Sequence, residues 1–217
     1  MDGNQRWASK HKVDLKNGYL EGIKKLSEIS NYCINNDIKN LSVYTLSSEN
    51  RNRKSINLIY DLLESNYIGF LNKINKDNNV RVKFIGKKNN LKKNIQFIIN
   101  YIESKTINNN ILHLNLVFNY SVEYEIEHIL SKFIKFEKNN SHNLNSDFIN
   151  KNKYLGKDSD PQILIRTGGF KRLSNFLLLN LSYTEFFFID TLWPDFTMIE
   201  LDNIFLEYKK IKRNYGL

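Results

Sequence analysis

The stretch VRVKFIGKKNNLKKNIQFIINYIESKTINNNILHLNLVF, Val80 to Phe118, contains the fold in miniature. Val80, Val82 and Phe84 alternate with charged neighbours up to Gly86, the period of a half-buried strand. Leu91, Ile95, Ile98, Ile99 and Ile102 then recur at helical spacing, and Leu112, Leu114, Leu116 and Phe118 return to strict alternation. Two strands joined by a connection long enough to hold a helix pair parallel, because only a crossover of a dozen or more residues brings the chain back in the same direction.

Outward from this unit the same alternation continues. Toward the N-terminus, Leu15, Tyr19, Ile23, Leu26, Ile29 and Cys33 mark a helix, and Leu41, Val43 and Thr45 a strand. Ser55, a suitable cap, opens a helix through Ile59, Leu62, Leu63, Tyr67 and Leu71. Toward the C-terminus, Val122 to Phe136 reads as helix, and residues 138–153 as an Asn-rich polar loop without regular structure. Ile163–Ile165 and Phe186–Ile189 read as short strands, Phe176–Leu181 as an apolar helical run, and Ile199, Ile204, Tyr208 and Ile211 as a closing helix. The expected class is α/β, with a mainly parallel central sheet flanked by helices. The whole chain, residues 1–217, is expected to form one domain containing the polar loop.

Composition limits the alternatives. With 41% hydrophobic, 25% charged and 13% aromatic residues, the chain has the balance of a globular protein and not of a disordered or collagen-like one. Two prolines and nine glycines leave few breakers, so elements should be long. No apolar run approaches the roughly 18 to 20 residues of a bilayer span, and the N-terminus has no signal-peptide pattern. A cytoplasmic location is therefore expected. Cys33 is the only cysteine, which rules out an intramolecular disulfide. The net charge of +9 suits an anionic partner. A Lys-, Asn- and Ile-rich codon bias explains it equally well, and a nucleic-acid-binding function would rest on that charge alone.

In α/β sheets, ligands bind beyond the carboxyl ends of the strands, and three such ends here carry polar or arginine-bearing segments. Ser47 to Arg53 follows one, Asn119-Tyr120 another, and Arg166-Thr167-Gly168-Gly169 a third. The last continues through Phe170, Lys171, Arg172 and Leu173 to Ser174-Asn175. Two arginines six residues apart around a Gly-Gly turn form a candidate anion cradle. Guanidinium forks bind phosphate oxygens in pairs, glycines let backbone N–H groups approach a ligand, and a helix start adds free donors. A solvated basic turn with a capping serine would look the same from these four residues alone.

At the N-terminus, Asp2-Gly3-Asn4-Gln5-Arg6-Trp7 brings a carboxylate into the same chemistry. A magnesium–diphosphate complex needs one or two protein carboxylates and fills its remaining shell with phosphate oxygens and water. Glu185, beside Phe186-Phe187-Phe188, needs a metal or an arginine partner if it is buried. The P-loop, dinucleotide-binding, zinc-protease and nucleophile-elbow patterns are all absent, and His11, His113, His128 and His142 show no ligand spacing.

Six segments taken together and in order resemble the cis-prenyltransferase family, typified by undecaprenyl diphosphate synthase. They are MDGN-x-RWA at Met1–Ala8, SSEN-x-NR at Ser47–Arg53, NY at Asn119, RTGG-x-x-R-x-SNF at Arg166–Phe176, Y-x-E at Tyr183–Glu185 and LWPDF at Leu192–Phe196. The resemblance implies an enzyme that repeatedly condenses isopentenyl diphosphate onto an allylic diphosphate, such as farnesyl diphosphate, to make a long cis-polyprenyl diphosphate lipid carrier. It also implies Mg²⁺ dependence, a dimer, either a homodimer or a heterodimer, and transient contact with the membrane surface, with no role for nucleic acid.

Carried over by residue, the resemblance makes Asp2 the essential carboxylate handling Mg²⁺ and isopentenyl diphosphate, with Glu185 completing the metal site. Gly3, Asn4 and Arg6, with Gln5 and Trp7 beside them, would grip the allylic diphosphate. Ser47, Ser48, Glu49, Arg51 and Arg53 would line the reacting centre, and Asn50 would accept the proton. Arg166, Arg172, Leu173 and Ser174 would bind isopentenyl diphosphate. Leu46, Leu114, Leu116 and the apolar stripe after Ser55 are candidates for the walls of a product tunnel, and equally for plain core.

This chain departs from the family pattern at several points. Leu15 and Tyr19 stand where an Arg and a His are common, and Arg51 where a Trp is usual. Glu123 replaces an Arg, Phe170 an acidic residue, and Arg213 to Gly216 only approximates the usual ending. The family also has an apolar strand leading into this first segment, where the present sequence begins; either the start lies further upstream, or the protein is shortened and Asp2 is expected to be poorly anchored. These departures motivate a second reading, a degenerate, non-catalytic accessory subunit, which the presence of Asp2 opposes.

Overall fold

The computed structural model describes residues 1–49, 55–75, 80–137, 144–156 and 160–212. In chain order the elements are α1 (Asn4–Lys10), α2 (Leu15–Asn35), β1 (Asn40–Ser47), α3 (Ser55–Asn75), β2 (Val80–Ile85), α4 (Lys93–Thr106), β3 (Leu112–Tyr120), α5 (Val122–Glu137), α6 (Ser146–Asn152), β4 (Ile163–Arg166), β5 (Glu185–Phe188) and α7 (Met198–Lys210). They fall into two compact units, both discontinuous in sequence. The first holds Met1–Leu41, Pro161–Arg172 and the described residues from Tyr183 on; the second holds Ser42–Asp160 and Leu173–Ser182.

The second unit is built on a three-stranded sheet in the order β1-β3-β2. The strands β2 and β3 run parallel, in register from Val80 opposite Leu112 to Ile85 opposite Val117. Central β3 is buried at every position but His113, as expected of a strand flanked on both edges and covered on both faces. The outer edge of β2 is closed by α4. Val82 N–H donates to the Thr106 hydroxyl at 3.1 Å and Phe84 N–H to Glu103 Oε1 at 2.7 Å, while the Asn109 amide donates to Val80 O at 2.9 Å. Side chains thus satisfy edge groups that would otherwise invite another strand. The stripe Ile95, Ile98, Ile99 and Ile102 is buried, as are Leu46, Leu114 and Leu116, which pack as core.

In the first unit, β4 and β5 form a parallel pair, Ile163 opposite Glu185 through Arg166 opposite Phe188. Asp14 caps α2 by accepting from Asn17 N–H at 2.7 Å. A reciprocal capping box of Thr197 and Glu200 starts α7. Gly22 permits the close approach of Asn4 and Trp193, where any Cβ would collide with the Asn4 amide oxygen. The Trp193 indole N–H accordingly donates to Gly22 O at 2.9 Å.

Two sequence expectations are corrected, and one helix is found where none was expected. The polar loop 138–153 contains α6, capped by Asn145 accepting from Phe148 N–H at 2.9 Å. Phe148 supplies the reason, since it packs on Phe133 and Phe136 of α5. The run Phe176–Leu181 is not an α-helix: Ser174, Asn175 and Leu177 all take left-handed backbone, which stops propagation, and only a 3₁₀ turn at Leu178–Asn180 remains. Leu177 serves instead as a fully buried plug beside Ile85, Val117 and Tyr120. Finally, residues 4–10 form a helix that the sequence pattern does not announce, with only Ala8 buried. No helix among the described residues is long and apolar enough to cross a membrane.

Candidate active site

Asp2 lies just before α1 and is firmly anchored, contrary to the expectation of a poorly held carboxylate. Its N–H donates to the Thr167 hydroxyl at 3.0 Å, and its carbonyl accepts from that hydroxyl at 2.8 Å and from Trp193 N–H at 3.0 Å. Thr167, which sequence reasoning passed over, makes two of these three bonds. The only signal it gave was a hydroxyl directly after Arg166.

The Asp2 carboxylate lies between two guanidinium groups. Oδ1 accepts from Arg6 Nη2 at 3.1 Å and Oδ2 from Arg166 Nη2 at 3.0 Å. Arg6 Nη1 also donates to Gly168 O at 2.7 Å, and Arg166 Nη1 donates to the Arg172 carbonyl. Gly168 has φ 87°, and a Cβ there would come within 2.5 Å of Arg6 Nη2, so glycine is required for this packing. The side chain of Arg172 lies over the Phe170 ring, 4.2 Å from its centroid. The turn at the end of β4 therefore gathers the opening carboxylate and the late arginine pair, as the motifs suggest.

The turn differs from the expected cradle in its donors. Gly168 N–H donates to Thr191 O at 2.8 Å and Gly169 N–H to Ile189 O at 2.9 Å, extending the pairing that Ile189 N–H to Arg166 O begins. These backbone donors are spent within the fold, so the glycine N–H groups of the expected cradle already have partners. The helix start expected after Ser174 is absent as well.

The other sequence-nominated residues are placed as follows. Gly3 accepts Trp7 N–H at 2.8 Å, and Gln5 is exposed on α1. Asn4 turns toward Gly22, with its Oδ1 buried and without a hydrogen-bond partner. The Trp7 indole N–H donates to Asp195 Oδ1 at 2.6 Å. Ser47 is buried at the end of β1 in the second unit, followed by Ser48 and the exposed Glu49. Leu173 and Ser174 also belong to that unit. Asn50, Arg51 and Arg53 lie outside the described residues, as does the Arg213 to Gly216 ending. Glu123, one of the departures, is paired with the Asn175 amide at 3.0 Å. Its carboxyl is held below the usual range by its own backbone N–H, then by Ser121 and Asn175.

Asp2 fits a magnesium–diphosphate complex: it is one carboxylate beside two guanidinium forks, and each of its oxygens keeps a lone pair beyond its arginine bond. Glu185 does not join it within this chain. It opens β5 opposite Ile163, while Asp2 is bonded at Arg166, three residue pairs and about 10 Å further along the strands. Among the described residues, no cluster of three or more His, Cys, Asp or Glu is arranged to hold a metal.

A family profile described as putative undecaprenyl diphosphate synthase matches residues 1–216. The chain belongs to this cis-prenyltransferase family. An isoprenyl transferase of Oceanobacillus iheyensis is 37% identical over 221 residues, covering 100% of this chain and 87% of the relative. A solved structure of a probable undecaprenyl diphosphate synthase from Campylobacter jejuni matches with TM-score 0.81 and 32% identity, over 91% of this chain and 92% of the other. Lavandulyl diphosphate synthase from Lavandula x intermedia, solved in complex with dimethylallyl diphosphate, matches with TM-score 0.91 and 25% identity, over 100% and 95%. Within the cis-prenyltransferase family, the Asp2–Arg166 pairing is the natural centre from which to read the chemistry.

Proposed function

We propose that the protein condenses isopentenyl diphosphate repeatedly onto an allylic diphosphate such as farnesyl diphosphate, making a long cis-polyprenyl diphosphate. The observation that carries this reading is the Asp2 carboxylate bonded to both Arg6 and Arg166, with Arg172 on the same turn. Family membership supports the reaction class.

A diphosphate leaves an allylic carbon only when its developing charge is stabilised. Arg6, Arg166 and Arg172 supply cationic forks for that purpose, and the first two also hold Asp2. Mg²⁺, held by Asp2 and the diphosphate oxygens, would add Lewis-acid stabilisation of the leaving group. Holding both substrates at one turn makes the encounter effectively intramolecular. In this reading Asn50 accepts the proton, and Ser47, Ser48, Glu49, Arg51, Arg53, Leu173 and Ser174 complete the substrate contacts. Glu185 would act in metal binding only from outside the Asp2 cluster of its own chain. The reading also includes a homodimer in the cytoplasm that delivers its lipid product at a membrane surface.

The test is to incubate the purified protein with farnesyl diphosphate, labelled isopentenyl diphosphate and Mg²⁺, then size the extracted product. Chain-extended product that is lost in Asp2→Ala is expected. No product from the folded, full-length protein would overturn the reading in favour of the accessory subunit.

A further inference from the structure

Phe170 stands 40% exposed on the turn between β4 and Arg172. Three guanidinium carbons surround it, those of Arg172 at 4.2 Å, Arg6 at 4.7 Å and Arg166 at 5.8 Å from the ring centroid. All lie within the distance over which an aromatic quadrupole attracts a cation. Arg6 comes from α1 and the other two flank the turn, so the ring is a common neighbour of cations brought from separate segments.

The arrangement answers a physical problem. Three like charges held close together repel one another, and the repulsion would splay the forks before any ligand arrived. A carboxylate at position 170 would relieve it, but would also occupy donors that an anionic ligand needs. An aromatic ring draws cations without carrying a negative charge, leaving the site's positive potential for the ligand. Asp2 already engages Arg6 and Arg166 through hydrogen bonds, whereas Arg172 makes the shortest of the three ring contacts.

The geometry points to Phe170 as a positioning residue that preorganises the arginine cluster for a diphosphate group. This rests on the reading of the turn as a diphosphate site, and it adds a specific role for a residue at which this chain departs from its family pattern. Phe170 does not act on the ligand itself; it acts through Arg172 first, then through Arg6 and Arg166.

The experiment is calorimetric titration of the full chain with inorganic pyrophosphate, for the wild type and for Phe170→Leu, Phe170→Ala, Phe170→Tyr and Phe170→Trp, with melting temperature recorded for each. Loss of the ring in Phe170→Leu and Phe170→Ala is expected to weaken binding about five- to twenty-fold, the order given by two or three partly exposed cation–ring contacts. Phe170→Tyr and Phe170→Trp should restore near wild-type affinity, which a merely space-filling role would not require. In an Arg172→Ala background the effect of Phe170→Leu should shrink, because its main partner is gone.

Wild-type binding with an unchanged affinity in Phe170→Leu would overturn the positioning role while leaving the diphosphate site standing. No pyrophosphate binding by the folded wild type would overturn both. Wild-type binding and loss in Phe170→Leu, but no prenyl transfer, would support the positioning role and sink the proposed reaction.

Discussion

Arg166 bonds the Asp2 carboxylate at 3.0 Å across 164 positions of sequence, and its second fork nitrogen donates to the Arg172 carbonyl. One planar group thus fixes the end of β4, the opening segment and the turn between two arginines. A lysine would keep the charge but cannot span both acceptors in that fixed geometry. Arg166→Lys is expected to raise the KM for isopentenyl diphosphate about tenfold or more. The melting temperature should fall by only a few degrees, because an ion pair to a carboxylate that is one-third exposed contributes about 1 kcal/mol or less. Steady-state kinetics and a thermal melt check both halves, and an unchanged KM would remove Arg166 from substrate binding.

Gly168→Ala addresses the same cluster from the backbone. The substitution forces an L side chain into φ 87° and places its Cβ against Arg6 Nη2. The expected cost is about 1–2 kcal/mol in chemical denaturation, together with weaker pyrophosphate binding as Arg6 is displaced. In an Arg6→Ala background the binding effect should largely vanish while the backbone cost remains, which separates strain from crowding.

The β2–α4–β3 unit was legible because each element buries one face and its period shows it: Val80, Val82 and Phe84 for the strand, Ile95 to Ile102 for the helix. The helix α1 was illegible because NQRWASK carries no apolar stripe, and its packing partners Gly22 and Trp193 are remote in sequence. At Phe176–Leu181 composition misled, since the left-handed residues Ser174, Asn175 and Leu177 bend the chain so that Leu177 can plug the core. In the site, Asp2 and the arginines could be read from residue type and spacing. That the Gly168 and Gly169 donors are consumed by Thr191 and Ile189 could not, because it depends on where β5 ends. Phe170 was visible only as a departure; its role depends on three side chains converging in space.

Trp193 ties the LWPDF segment to α2. Its indole N–H donates to Gly22 O at 2.9 Å, its backbone N–H donates to Asp2 O at 3.0 Å, and its ring is buried. Trp193→Phe keeps the backbone bond and removes the indole bond and part of the ring volume. The expected loss is about 1–3 kcal/mol, or roughly 2–4 °C of melting temperature per kcal/mol for a chain of this size. Because the Asp2 anchor on Trp193 is backbone-mediated, pyrophosphate affinity should change far less than stability. A large affinity loss without a shifted melt would contradict that division.

Glu200 gives a pH signature to α7. Burial alone would raise its carboxyl, but the Thr191 hydroxyl, the Thr197 N–H and hydroxyl, and the charge of Lys25 outweigh it and hold the group below its ordinary value of 4.5. A carboxyl depressed in the folded state stabilises the fold above its unfolded pKa and loses that contribution as the pH drops through the folded value. Glu200→Gln retains a neutral acceptor for the capping box while removing the titration. Wild type should therefore exceed the variant in unfolding free energy by a constant margin from about pH 7 to pH 5, and the margin should shrink on further acidification. Denaturant unfolding across that range is the measurement, and a margin that stayed flat to about pH 3 would show that the Glu200 charge adds nothing to the cap.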